Sequence, residues 1–459
     1  MLAFLTPGSP AIFGMLIACL LLALAFEFSN GFHDTANAVA TVIYTHSLKP
    51  VPAVIWSGLL NFLGVLLGGI AVAYALVELI PPEVLSPPNG GPAVGMLIAL
   101  FASALSWNVG TWWFGIPNSS SHALIGALIG IAVENSFARG RGLANGVDWH
   151  QVFSVLGSLL ISPVLGFGLA MLAYRLLKLT VHDEHLYEPP KEEKPPIWWM
   201  RVLLILTCTG VSFAHGTNDG QKSIGLIMLT VIGLVPMSYA VNMDMSDTQI
   251  ASLAKQMPSA SQLIDRFGDD HKALGVEAAR KLGERFGQSK TPGDIPETER
   301  PAVRNDLNLV LTELKTVTEA KAASEDERKS AKSLHEELMH SVQYAPWWVR
   351  ILSALCLGAG TMIGYKRIVT TLGERLGNQH LAPAQGGAAE LVAATLITGA
   401  GFTGLPVSTT HVVTGGIAGT MVGSGAGIQP ATLRQIAAAW ILTLPATIAL
   451  SAGLFYLLS

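Results

Sequence analysis

Ten long apolar blocks dominate this chain, at residues 11–44, 53–77, 94–115, 119–138, 152–177, 200–240, 347–363, 388–405, 411–424 and 434–458. A helix needs about 20 apolar residues to cross a hydrocarbon core of about 30 Å, and only helices or closed barrels satisfy their backbone there. Blocks of this number and length restrict the fold to a bundle of membrane-crossing helices. The charges agree. Of 459 residues, 28 are Lys or Arg and 32 are Asp or Glu, and residues 243–345 alone hold 32 of these 60. The chain therefore reads as an all-α polytopic membrane protein with one soluble helical insert. That composition excludes a soluble enzyme, a disordered chain and a nucleic-acid binder with a basic face. Cys19, Cys208 and Cys356 are scattered through apolar stretches and odd in number, so they read as small buried hydrophobes. The first block lacks a basic leader region, so it is not read as a signal peptide.

An internal repeat organises these blocks. NGFHDTAN at 30–37 aligns with HGTNDGQK at 215–222, pairing Gly31 with Gly216, Asp34 with Asp219 and Asn37 with Lys222. PNSSSHALIGA at 117–127 aligns with PVSTTHVVTGG at 406–416, pairing Ser119, Ser120, Ser121 and His122 with Ser408, Thr409, Thr410 and His411. Asp34 and Ser120 are 86 residues apart, whereas Asp219 and Thr409 are 190 apart; the excess of 104 matches the charged region. The first repeat is thus 1–190. The second begins at 191–242, is interrupted by the insert 243–345, and resumes at 346–459. Each copy has five apolar blocks, an odd number, so the second is inserted upside down. The blocks 11–44 and 200–240 are too long for one simple crossing and carry polar clusters, so both are expected to break near mid-membrane. The blocks beginning after Pro117 and Pro406 are expected to form helical hairpins with their predecessors. About 10–12 transmembrane segments result, in the inverted-repeat pattern of secondary transporters.

The polar residues inside these blocks carry the chemistry. A carboxylate in mid-membrane costs a few kcal/mol or more unless it is paired, protonated or bound to a cation. Asp34 and Asp219, at matching positions, read as cation or proton sites; the plainer reading is a buried Asp capping a helix end or pairing with a His. The hydroxyls Ser119, Ser120, Ser121, Ser408, Thr409 and Thr410 each stand at a helix N-terminus, where free N–H groups and the dipole favour an anion. Two such ends facing each other would cradle a tetrahedral oxyanion. Ordinary N-capping is the plainer reading of either cluster alone. Lys222 lies well inside an apolar block and needs an anionic partner: Asp219, a bound anion, or both. His33 and Asn218, beside the two aspartates, are assigned with Asp34 and Asp219 to cation or proton coupling. His122, His411, His215 and Gln221 are assigned to supporting these groups. No ligand spacing demands a resident metal. Glu27, one turn before the first motif, is a further intramembrane carboxylate, in the cavity or beside a helix partner. Glu134 and Glu390 read as interfacial. Trp107, Trp112, Trp113, Trp198, Trp199, Trp347 and Trp348 fit an aromatic belt. The insert shows amphipathic spacing at 303–317 and 324–340, with no nucleotide or zinc motif.

At these residues the chain resembles the PiT family of inorganic phosphate transporters, and most closely its bacterial low-affinity, proton-coupled branch. The family motif in each half corresponds to GFHDTAN at 31–37 and GTNDGQK at 216–222. The resemblance implies a dimeric plasma-membrane permease that needs no cofactor. Phosphate would sit between the hairpin tips, on Ser119, Ser120, Ser121, Ser408, Thr409 and Thr410. Sodium-coupled relatives hold sodium with the aspartate and last asparagine of each motif, here Asp34 and Asn37, then Asp219 and Lys222. Lys222 departs from that pattern, and its ammonium stands in for a sodium ion. His33 replaces an asparagine and suits a titrating site.

Lys and Arg placement gives the orientation. With the N-terminus outside, inner loops carry nine basic residues, among them Lys49, Arg175, Lys191, Arg201 and Arg367, and short outer segments carry Arg139, Arg141 and Arg434. The loop 78–93 has none, and parity places the insert outside. The leading expectation is proton-coupled phosphate import, with the anion free or as a neutral metal–phosphate complex. Alternatives are sodium coupling, a sulfate permease of the same fold, a passive channel, and an intramembrane hydrolase using Ser120, His122 and Asp34. Duplication of the whole set counts against the hydrolase, which needs one nucleophile.

Overall fold

A computed structural model describes residues 10–77, 94–140, 142, 149–190, 194–269 and 271–458. The loop 78–93, Arg141 and Lys191, used above for orientation, lie outside these residues. Every apolar block is helical. The first repeat gives α1 (Pro10–Asp34), α2 (Ala36–Tyr44), α3 (Pro50–Leu67), α4 (Ala71–Val77), α5 (Val94–Trp113), α6 (Ser120–Ala138) and α7 (Trp149–Thr180). The second begins with α8 (Trp198–Leu234); the charged region follows as α9 (Asp247–Phe267), α10 (Lys272–Gln288), α11 (Arg300–Glu319) and α12 (Glu325–Val342). It ends with α13 (Trp347–Thr361), α14 (Pro383–Thr403), α15 (Thr409–Ser424) and α16 (Pro430–Leu458).

Seven helices among the described residues are long and apolar enough to cross a membrane, counting Pro10–Tyr44 as one, and the pair Trp347–Thr361 and Lys366–Arg375, bent by 54°, makes an eighth. The count is below the ten to twelve expected because α15 has only 16 residues and α14 is rich in Ala, Gly and Thr. The polarity of the unit is that of a lipid-facing bundle. Leu160, Val164 and Leu179 of α7 and Ile441 of α16 are exposed, while Asp34, Asp219 and Lys222 are buried. Trp113, Trp198 and Trp347 are exposed at helix ends, as a belt requires, whereas Trp107 sits within α5 and donates to Thr443.

The expected breaks differ between the repeats. The first is a one-residue irregularity at Thr35, whose φ and ψ remain right-handed helical, and whose hydroxyl donates to the carbonyls of Gly31 and Thr361. The second is absent: α8 runs unbroken for 37 residues through 215–222. His215, Asp219, Gln221 and Lys222 find partners within α8 and on neighbouring helices, so no backbone hydrogen bond has to open to satisfy them.

The two repeats are related residue by residue. Gly31 of α1 packs on the carbonyl of Leu357 and Gly360 of α13 on that of Phe28; in the other half Gly216 of α8 packs on the carbonyl of Asn61 and Gly64 of α3 on that of Phe213. Likewise α6 lays Gly126 and Gly130 on α16 at Leu444 and Ile448, and α15 lays Gly415 and Gly419 on α7 at Pro163 and Phe167. A Cβ at these positions would collide with backbone, which is why small residues mark the crossings. Each hairpin helix therefore packs on the last helix of the opposite repeat. Both hairpin turns contain a glycine in the left-handed region, Gly115 at φ 67° and Gly404 at φ 74°. The equivalent helices α1 and α8 cross with Asn30 on Asp219 and Asp34 beside His215, so the register reverses and they run antiparallel. That reversal is the inverted topology expected from block parity.

The chain divides into two compact units, one of Gly14–Thr230 with Pro346–Ser459, the other including Val231–Ala345. Within the second, α9–α12 close on a core that includes Leu253, Met257, Phe286, Leu307, Leu314 and Leu338. Capping boxes at Ser246 with Gln249 and Ser324 with Glu327 start α9 and α12. The Ser324 backbone N–H holds the Glu327 carboxyl below its usual range.

Candidate functional site

The first carboxylate, Asp34 at the end of α1, is buried and meets the tip of the second-repeat hairpin. Thr409 donates to its Oδ2 at 2.9 Å and Thr410 to its Oδ1 at 2.5 Å. Asn37, one turn on, donates to the Thr410 hydroxyl at 3.2 Å. His33 Nδ1 lies 3.5 Å from Oδ1 and His215 Nε2 3.5 Å from Oδ2. A buried carboxylate with this many donors has its charge offset without leaving the membrane interior.

The second carboxylate, Asp219, is its counterpart with one substitution. Lys222 Nζ lies 2.6 Å from Asp219 Oδ1, donates to Ser121 Oγ at 2.5 Å and to the Val407 carbonyl at 3.3 Å. Where Asn37 reaches Thr410, Lys222 reaches Ser121, the matching hydroxyl. Asn30 donates to Asp219 Oδ2 at 3.3 Å and accepts from Ser120 at 2.6 Å. His215 Nε2 also lies 3.5 Å from Asp219 Oδ2, so one imidazole stands between the two aspartates. Its Nδ1 is 2.7 Å from Asn61 Oδ1, and Asn61 donates on to Thr361. With Nδ1–H given to Asn61, only a doubly protonated ring also donates from Nε2 to the carboxylates. With Nε2 unprotonated instead, Asp34, His215 and Asp219 each offer a ligand atom, all within 4.8 Å of one another.

Ser119 and Ser408 do something else. Each is an N-cap of near-identical backbone conformation, accepting from the N–H of His122 or His411 at 3.2 Å. The capping reading therefore accounts for one hydroxyl in each cluster; Thr409 and Thr410 meet Asp34 directly, whereas Ser120 and Ser121 reach Asp219 only through Asn30 and Lys222. His122 and His411 lie side by side, ring centroids 4.4 Å apart, with His411 stacked on Trp440 at 3.9 Å. Gln221 turns away from the aspartates: it accepts from the Val72 N–H at 2.9 Å and donates to the Thr217 carbonyl at 2.7 Å, bracing the start of α4. Asn218 is buried beside Gly401, and neither polar atom of its side chain has a partner among the described residues.

Two residues were not singled out for the site by the sequence. Asn30 opens the first motif, and Asn61 is a lone amide inside an apolar block; the rule that flagged Asp34 and Asp219, a polar side chain in a spanning segment, applies to both. Glu390 corrects the interfacial reading. It is fully buried on α14, with Thr207 donating to it at 2.6 Å.

The comparisons point one way. A model of the phosphate transporter family matches residues 30–451. The low-affinity inorganic phosphate transporter PitA of Escherichia coli K12 is 39% identical over 95% of this chain and 96% of its own length. PitB of the same strain is 37% identical over the same shares. A probable low-affinity inorganic phosphate transporter of Bacillus subtilis is 28% identical over 96% of this chain and 97% of its own. A solved structure titled the sodium-dependent phosphate transporter shares the fold, with a TM-score of 0.56 at 20% identity, over 97% of this chain and 99% of that one. These relatives are transporters by name rather than enzymes, and the chain belongs to the phosphate transporter family.

Proposed function

We propose that this chain imports inorganic phosphate across the plasma membrane as a secondary transporter coupled to protons. One observation carries the reading. Two hairpin helices bring hydroxyls to a pair of buried aspartates, directly at Asp34 and through Asn30 and Lys222 at Asp219, and in one half Lys222 takes the place that Asn37 holds in the other. Phosphate docks when Ser120, Ser121, Thr409 and Thr410 turn from their present partners to its oxygens, at helix ends suited to an anion. Lys222 is then a resident cation in the second half. Asp34, with His33 and His215 beside it, is the half without a resident lysine. Inverted repeats around such a site support alternating access. The dimer, the plasma membrane and an insert on the outer side belong to the same reading, on the family resemblance and the parity of the blocks.

A sodium-coupled reading has one observation in its favour. Asn37 Oδ1 is buried with no partner among the described residues, close to the Asp34 and Thr410 oxygens. Uptake of labelled phosphate into proteoliposomes under separately imposed pH and sodium gradients tests both. Accumulation on the pH gradient alone supports proton coupling; accumulation on sodium alone overturns it. Sulfate in excess, failing to compete, supports phosphate as the substrate.

A further inference from the structure

Glu27 is a third carboxylate in the transmembrane core, outside both motifs. It shares one face of α1 with Asn30 and Asp34, at spacings of three and four, and is completely buried. The three acidic groups differ in what offsets them. Asp34 has two threonine hydroxyls and two histidines; Asp219 has a lysine, a histidine and an amide. Glu27 has the Asn30 amide on Oε2 at 3.3 Å, and its Oε1 has no hydrogen-bond partner among the described residues. The groups that face it are Ser223, Asp219 and His215 of α8 and Cys356 of α13. No ion pair to Glu27 exists among the described residues, and Lys222 is committed to Asp219 and Ser121. A bare carboxylate in this setting is strongly disfavoured, and a proton is the counter-charge that fits.

The Asn30 amide gives that proton a consequence. Its Nδ2 is shared between Glu27 and Asp219, and its Oδ1 accepts from the Ser120 hydroxyl at 2.6 Å. One side chain thus links Glu27 to the second aspartate and to the first-repeat hairpin. We infer that Glu27 carries the coupled proton, and that its protonation is transmitted through Asn30 to the Ser120 hydroxyl that receives phosphate. Losing the proton places a charge on Glu27 that competes with Asp219 for the Asn30 amide. The amide then shifts, and with it the hydroxyl. Protonation and phosphate binding favour each other reciprocally. The proton comes from water on the entry side and returns to water on the exit side, so no bond is made or broken in the cargo. The inference rests on the proton-coupled reading above.

The test uses the full chain in proteoliposomes, with labelled inorganic phosphate and two readouts: accumulation driven by an imposed pH gradient, and phosphate–phosphate exchange across a range of pH without a gradient. Glu27→Gln keeps the size and hydrogen-bonding of the neutral acid but cannot release a proton. It should lose gradient-driven accumulation by about tenfold or more, within the span of coupling between two sites. Its exchange should persist and cease to follow pH. Glu27→Asp, which still titrates, should restore part of the accumulation and the pH dependence. Glu27→Gln accumulating phosphate with wild-type pH dependence overturns the inference. Exchange and accumulation lost together in both variants, with the proteins folded, overturns it too, since that marks a structural role. A wild-type chain that shows no phosphate uptake fails the proposed function instead, before Glu27 is examined.

Discussion

Replacing Lys222 separates two meanings of its contact with Asp219. The ammonium lies 2.6 Å from Asp219 Oδ1 and both groups are buried. At an effective dielectric of about 20, a pair at that distance attracts by about 6 kcal/mol before desolvation. Breaking a buried pair by removing one partner costs about 3–5 kcal/mol in measured cases. His215 and Asn30 also touch Asp219, which places the expected loss for Lys222→Asn near about 3 kcal/mol on that scale. That exceeds the roughly 0–1 kcal/mol of a surface lysine several-fold. The double variant Lys222→Asn with Asp219→Asn removes both charges together, and pair removal is often neutral for stability. Thermal unfolding in detergent should therefore show a drop for the single variant and recovery in the double. Transport should not follow. If Lys222 is a resident cation of the binding cycle, the double variant stays inactive on a pH gradient, and residual uptake by the single variant gains dependence on sodium. A double variant that regains near-normal uptake would refute the resident-cation reasoning and leave Lys222 as a neutraliser of Asp219.

Thr410→Ala removes the 2.5 Å hydrogen bond to Asp34, of a charge-assisted kind worth about 1.5–3 kcal/mol. The phosphate concentration for half-maximal uptake should rise about tenfold, with Thr410→Ser close to normal; an unchanged value for alanine would count against the hydroxyl cradle. Gly419→Ala drives a methyl into the Phe167 carbonyl and should destabilise by about 1–3 kcal/mol, whereas Gly453→Ala, with open space around it, should be neutral or gain up to about 1 kcal/mol. Equal melting temperatures for the two variants would contradict the close crossing of α7 and α15. A cysteine at Ser259, exposed on α9, should react with a membrane-impermeant thiol reagent on intact cells with a permeable outer membrane; labelling only after the inner membrane is lysed would place the insert inside.

The sequence by itself determined the class of fold, the duplication and the inversion. Ten apolar blocks leave helices as the spanning elements, two aligned motif pairs reveal the repeat, and an odd number of blocks per copy reverses the second copy. It also picked out Asp34, Asp219, Lys222 and the hydroxyl clusters, because a charge or a cluster of hydroxyls inside an apolar stretch has few reasons to be there. The tertiary structure alone decided which partner each of them meets. α8 stays unbroken because His215, Asp219 and Lys222 find acceptors and donors across helix crossings that no local pattern encodes. Ser119 and Ser408 became caps, while Thr410 turned to a carboxylate 376 residues away and Ser121 to the ammonium of Lys222. Glu390 was buried by the packing of α14 on its neighbours, and Glu27 was linked to Asp219 by an asparagine bridging two antiparallel helices. Periodicity and composition describe what a helix can bury along its own axis. Which buried charge is left without a counter-charge depends on distances between helices, and those are set only when the repeats close on each other.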